Sequence, residues 1–237
     1  MSRRTSLAVL LLSCLPSLAC AVEWGDIEGR LQYAWYTEDL RALRAVVASI
    51  GSGADDEALR AYYRGYGEYR IALLAQGRDE AAARSAAEAC AGHLAAANSA
   101  HGSFADALAL QATCQALVAT LKVWKAPLLG PRSAAQLERA IELAPRNPRV
   151  LLFAALAERD GVRAVATLQK AVAQFEEERR TVATMPSWGA PEAYLQLARR
   201  QLDQGDGAAA RSALERALLL APGFGQARRL LATITSG

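Results

Sequence analysis

Cys90, His93, His101 and Cys114 are the residues of this chain best equipped for chemistry, and they lie close together in sequence. Cys90 and His93, in "CAGH", share one face of a helix at a spacing that suits a metal such as zinc. A turn in "NSAHGS", residues 98–103, then reverses the chain. Cys114 lies about 13 residues beyond His101, roughly 20 Å along a helix that rises 1.5 Å per residue. His101 therefore cannot join the other three. Cys90 stands at a similar height on the opposite side of the turn, so the geometry favours a Cys90–Cys114 disulfide. Two free buried cysteines and a metal site are the other readings. A metal- or redox-handling role for Cys90, His93 and Cys114 is the matching alternative function. With both histidines in one hairpin, no Ser/His/Asp arrangement is credible. "GSG" at 51–53 lacks the lysine of a phosphate loop. The expectation is a non-enzymatic chain without cofactor or bound metal.

The elements that carry these residues read as helices. Apolar residues make up 52% of the chain and aromatic ones only 6%, so the excess is alanine and leucine. No window alternates as a strand does, which predicts an all-α chain. Helices are expected at 26–36, 38–49, 55–76, 79–98, 104–124, 133–143, 148–159, 162–179, 191–203, 207–220 and 224–235. Short joints separate them, "KAPLLGPRS" at 125–133 among them, so neighbours should pack as antiparallel hairpins.

The first 21 residues read as a cleaved leader: Arg3 and Arg4, an apolar run from Leu7, and small residues Ala19 and Ala21 flanking Cys20. A lipidated Cys14 or Cys20 and a twin-arginine route are the less favoured variants. Removing the two arginines takes the formal charge from +3 to about +1. No basic stripe suggests nucleic acid. "EEERR" at 176–180 reads as a solvated helix face. The expectation is one domain over 22–237 with no transmembrane segment, exported to the periplasm, where two remaining cysteines suit a disulfide.

"AYYRGYGEYR", 61–70, packs four tyrosines, two glycines and two arginines into one helix. Leu59, Tyr62, Tyr66, Tyr69 and Leu73 form one stripe, expected to be mostly core with hydroxyls at its edge. A tyrosine ligand cage is the sharper reading. Arg60, Arg64 and Glu68 form a polar stripe, with Arg64 and Glu68 an i,i+4 pair. The segment from Tyr66 to Cys90 also superposes without a gap on that from Tyr194 to Leu218, sharing the tyrosine, a Gln-Gly turn and the alanines of the second helix. "AAQLERAIELAPRNP" at 134–148 repeats the end of that pattern.

Tyr194, Leu197, Ala198, Gly205, Ala210, Leu214, Ala217 and Pro222 fall where the tetratricopeptide repeat (TPR) places its defining residues, so the chain resembles that family. Leu137, Ala140 and Pro145 match its last part, and the remaining hairpins are degenerate. Arg70 departs from the pattern, which wants a small residue. "PSWGAPEAY" resembles the segment that starts a hairpin in some bacterial TPR proteins, which makes Trp188 a hydrophobic clamp rather than a ligand contact. The resemblance implies stacked antiparallel hairpins in a right-handed α-solenoid, binding a protein or peptide partner on its concave face. Carried over, that face holds Arg64, Glu68, Arg149, Phe153, Glu192, Gln196 and Arg199, a groove of mixed charge with one exposed aromatic. Solvated helix faces are the competing reading, and a structural module of an envelope complex is another role.

Overall fold

Aspartates start five of these helices and an asparagine a sixth. Asp39, Asp56, Asp79, Asp160 and Asp206, with Asn147, each accept a hydrogen bond from a first-turn backbone N–H. Such caps satisfy donors that a helix leaves open, at about 1 kcal/mol each. In the computed structural model, residues 24–51, 56–179 and 186–235 are described. The leader, with Cys14, Cys20 and the cleavage point, lies outside them.

The described residues form eleven α-helices and no strand. They are α1 Trp24–Tyr36, α2 Leu40–Ser49, α3 Glu57–Ala75, α4 Glu80–Ala100, α5 Ala105–Leu121, α6 Ala126–Leu143, α7 Pro148–Ala157, α8 Gly161–Glu178, α9 Ala190–Asp203, α10 Gly207–Leu220 and α11 Gly225–Thr235. A 3₁₀ turn, Val123–Lys125, links α5 to α6. The described residues are all-α, as expected, and no described helix is long and apolar enough to cross a membrane.

The segment 125–133 corrects the sequence reading. From Ala126 on it is the first half of α6, not a joint, and Lys125 ends the 3₁₀ turn before it. Pro127 sits in the first turn, where a backbone N–H has no intrahelical partner to lose. Pro131 lies one turn further in and removes a single bond, so the Gly130-Pro131 pair does not break the helix.

Each helix packs on its neighbours in sequence, and α3 also touches α1 and α5. Helix α3 is therefore buried nearly all round. Its two glycines make that possible. A Cβ on Gly65 would lie 2.6 Å from Leu94 Cγ on α4, and one on Gly67 would overlap Val47 on α2. Cys90 on α4 and Cys114 on α5 form a disulfide, with Cα atoms 6.1 Å apart and both residues fully buried. In the chain-entropy model such a loop contributes roughly 3 kcal/mol.

The described ends also meet. Tyr36, closing α1, lays its ring 4.7 Å from Phe224, just before α11, and Arg229 of α11 pairs with Glu38. These contacts bring α1, α3, α7 and α9 around one interior space.

Candidate functional site

The floor of that space is an ion pair. Arg70, on α3, sits 2.5 Å from Glu192, in the first turn of α9, and both are almost fully buried. The other Glu192 oxygen accepts from the Tyr36 hydroxyl at 3.1 Å. The guanidinium lies over four rings, those of Trp35, Tyr66, Tyr69 and Trp188, at 4.5–5.3 Å from their centres. Burial works against the charge on Arg70, but Tyr66, Glu192 and Tyr69 outweigh it and hold the group protonated above its ordinary range. Burial raises Glu192 above the usual carboxylate range, with Arg70 opposing. An arginine at a position suited to alanine is thus accommodated by aromatic faces and one carboxylate.

Trp188 holds this arrangement from below. Its ring stacks on Tyr66 at 4.4 Å and meets Phe153 edge-on, while its indole N–H donates to the Tyr62 hydroxyl at 2.9 Å. These contacts are those of a clamp, and Trp188 also lines the cavity above the ion pair. Beside it, Arg149 is buried and donates to Asp106 at 2.5 Å, to both oxygens of Glu178, and to the Trp188 carbonyl at 3.1 Å. Glu28, on α1, accepts from the Tyr63 hydroxyl at 2.7 Å and from the Ser187 backbone N–H at 3.0 Å. Two buried charged clusters therefore fix the segment before α9 against α1, α3, α5, α7 and α8.

Above the ion pair opens a cavity of about 290 Å³. Its walls are the apolar side chains of Trp35, Leu73, Leu152, Phe153, Leu156, Trp188, Leu195 and Phe224, interrupted by polar surface from Arg70, Glu192 and Gln226. Gln196 and Arg199 stand at the mouth, where Arg199 donates to Gln226 at 3.0 Å. Tyr69 also lines it. Unlike those of Tyr62, Tyr63 and Tyr66, the Tyr69 hydroxyl finds no protein partner among the described residues.

The sequence-predicted surface is split by this geometry. Phe153, Glu192, Gln196 and Arg199 come together at the cavity. Phe153 and Glu192 are buried, however, where exposed positions had been expected. Arg149 is no groove residue; its guanidinium is consumed by Asp106 and Glu178. The same contact corrects the "EEERR" reading, because Glu178 serves a buried arginine and Glu176 accepts from Tyr194 and Arg216. Arg64 and Glu68 lie elsewhere. Arg64 donates to the Ile50 carbonyl instead of pairing with Glu68, and Glu68 is half-buried with Arg44 of α2 the charge acting on it. The difference arises because α2 covers the face of α3 that its periodicity alone leaves open.

The Cys/His group does not assemble. Cys90 and Cys114 are spent in their disulfide, His101 stacks edge-on against Phe104 beside the turn, and His93 is partly buried, which lowers its pKa, with Arg64 adding to that. Trp35, Tyr36, Glu28 and Asp106 were missed by sequence reasoning. Only Arg70 carried a signal, as a misfit in the repeat.

No family model matches the chain, and no curated protein does.

Proposed function

We propose that the chain is a non-enzymatic adaptor of TPR type, a right-handed solenoid of helix hairpins working in the periplasm, and that it holds a segment of a partner protein. The observation that carries this reading is the open cavity at the centre of the α1, α3, α7 and α9 packing. It combines apolar walls with a few converging polar groups, as ligand sites do. Its walls are fixed by buried ion pairs and stacked rings, so it is formed before any ligand arrives and little ordering cost remains at binding. The resemblance of 190–222 to a TPR hairpin and the exported look of the leader support the wider frame.

Photo-crosslinking tests it. A photoreactive residue in place of Gln196 should give adducts of discrete mass in the native envelope. The same residue in place of Arg64, on the face covered by α2, should give none. Adducts from neither position, or from Arg64 alone, would remove the cavity as the binding site.

A further inference from the structure

The cavity floor is electrically closed, because Arg70 and Glu192 neutralise each other at 2.5 Å. A charged group entering it would leave water without a free counter-charge, which is costly. The apolar walls therefore select an uncharged, apolar side chain. The volume, about 290 Å³, corresponds to roughly ten water molecules at 30 Å³ each. That is room for one large side chain and part of its main chain, with the free Tyr69 hydroxyl and the Gln196 amide available to peptide groups.

The rim is different. A second concavity adjoins the first, sharing Leu73, Arg199 and Gln226, and continues past Arg78 and Arg229. Arg229 pairs with Glu38. The Arg78 guanidinium has no partner among the described residues, and Arg199 bonds only the neutral Gln226. Three arginines thus face one carboxylate along this shelf, and two positive charges stay unbalanced beside a neutral apolar pocket.

Building on the adaptor reading, we infer that the site takes an internal peptide segment with one large apolar side chain next to acidic residues. The apolar side chain fills the cavity, and the Asp or Glu side chains lie against Arg78 and Arg199. Both rim arginines are exposed, so their share is modest and fades with salt. The apolar anchor supplies affinity, and the shelf supplies direction and choice of partner.

The test uses the purified, disulfide-bonded protein and a displayed library of random peptides. Enriched sequences should carry one large apolar residue with Asp or Glu within about two or three positions, the reach of an extended chain across adjoining pockets. A peptide from that set should lose about five- to tenfold in affinity against an Arg78→Glu/Arg199→Glu variant, and the loss should shrink at high salt. Gln196→Trp, which obstructs the mouth, should lower affinity for every enriched peptide, with thermal melts showing that both variants fold. Enrichment of apolar peptides without an acidic bias overturns this inference and leaves the adaptor reading standing. Absence of any enrichment overturns both.

Discussion

The hairpins α3–α4 and α9–α10 are two versions of one unit. Their second helices bury the same spacing: Ala83, Ala86, Ala87 and Cys90 in one, Ala210, Ala213, Leu214 and Ala217 in the other. Each turn carries a glycine at positive φ, Gly77 at 73° and Gly205 at 80°. The equivalence is not gapless, however. The first helices correspond at one offset and the second helices at another, because α3–α4 has one more residue in its turn. The first helices differ more. At the position of Ala198, α3 has Arg70. Helix α9 packs on α8 and α10 and leaves part of its second half exposed, whereas α3 is enclosed by α1, α2, α4 and α5. A position that packing between two helices keeps small can hold a large cation where further elements supply rings and a carboxylate around it.

The difference should be greatest in alkali. Burial raises the pKa of Tyr36, Tyr62, Tyr63 and Tyr66 well above the ordinary tyrosine value. The sign follows from linkage. A raised folded-state pKa gives stability that is whole below the unfolded value near 10 and is lost as pH rises through and above it. One unit above that value each tyrosine costs about 1.4 kcal/mol, so the four together cost on the order of 5. Three of them belong to α3. Thermal melts at pH 8 to 11 should show a steep fall above pH 10. Tyrosinate absorbance of the folded protein should reveal fewer than the chain's seven tyrosines titrating. Full titration of all seven without loss of fold would show that α3 is not enclosed.

Arg70 itself comes next. Arg70→Ala leaves Glu192 buried without its cation, and breaking such a pair costs about 3–5 kcal/mol. Arg70→Met with Glu192→Leu removes both charges and should recover much of that loss. Ala198→Gly on α9, the matched position, should cost only about 1 kcal/mol, the propensity difference in a helix. Melting temperatures of the three variants, near 2–4 °C per kcal/mol at this size, measure the contrast. An Arg70→Ala loss no larger than that of Ala198→Gly would remove Arg70 as the centre of the packing.

Much of the helical order could be read from the sequence because its signals are local. Aspartate caps, glycine turns and alanine spacing depend on a few neighbouring residues, and ten of the expected spans agree with the structure to within a few residues. Pro131 misled because proline's effect depends on its distance from the helix start. The site was less legible. Arg70 needs Glu192, Trp35 and Trp188, and Arg149 needs Asp106 and Glu178, all far away in sequence. Periodicity shows which face of a helix is polar, but not which helix will cover it, and the groove positions that the resemblance implies for Arg64 and Glu68 are met by α2 and the Ile50 carbonyl instead.

The smallest predicted effect bears on whether the two turns are one device. The α9–α10 turn closes with the Gly205 N–H donating to Leu202 and the Asp206 N–H to Gln201, the paired pattern of a glycine-ended helix. In α3–α4 the Gly77 N–H instead donates to the Glu80 side chain at 2.9 Å, and Asp79, one residue further on than Asp206 in the matched turn, caps the next helix. The extra residue is absorbed in this way. Both glycines keep positive φ, and a Cβ on either meets nothing within 4 Å. The cost of adding one is therefore conformational alone. Gly77→Ala and Gly205→Ala should each lose about 1 kcal/mol, the penalty of left-handed backbone for a residue with a Cβ. Asn in either place should lose less, since its short side chain tolerates that conformation. Glu80→Ala should destabilise only the first turn, whereas its counterpart Gly207→Ala should be neutral or stabilising, because Gly207 is the first residue of α10 and has open space around it. Thermal melts of the six variants resolve these differences. Equal costs at Gly77 and Gly205 with an effect at Glu80 alone mean one backbone reversal closed in two ways. A Gly77→Ala variant as stable as the parent would mean that the α3–α4 turn does not need its glycine, and that the resemblance between the hairpins ends at their buried alanines.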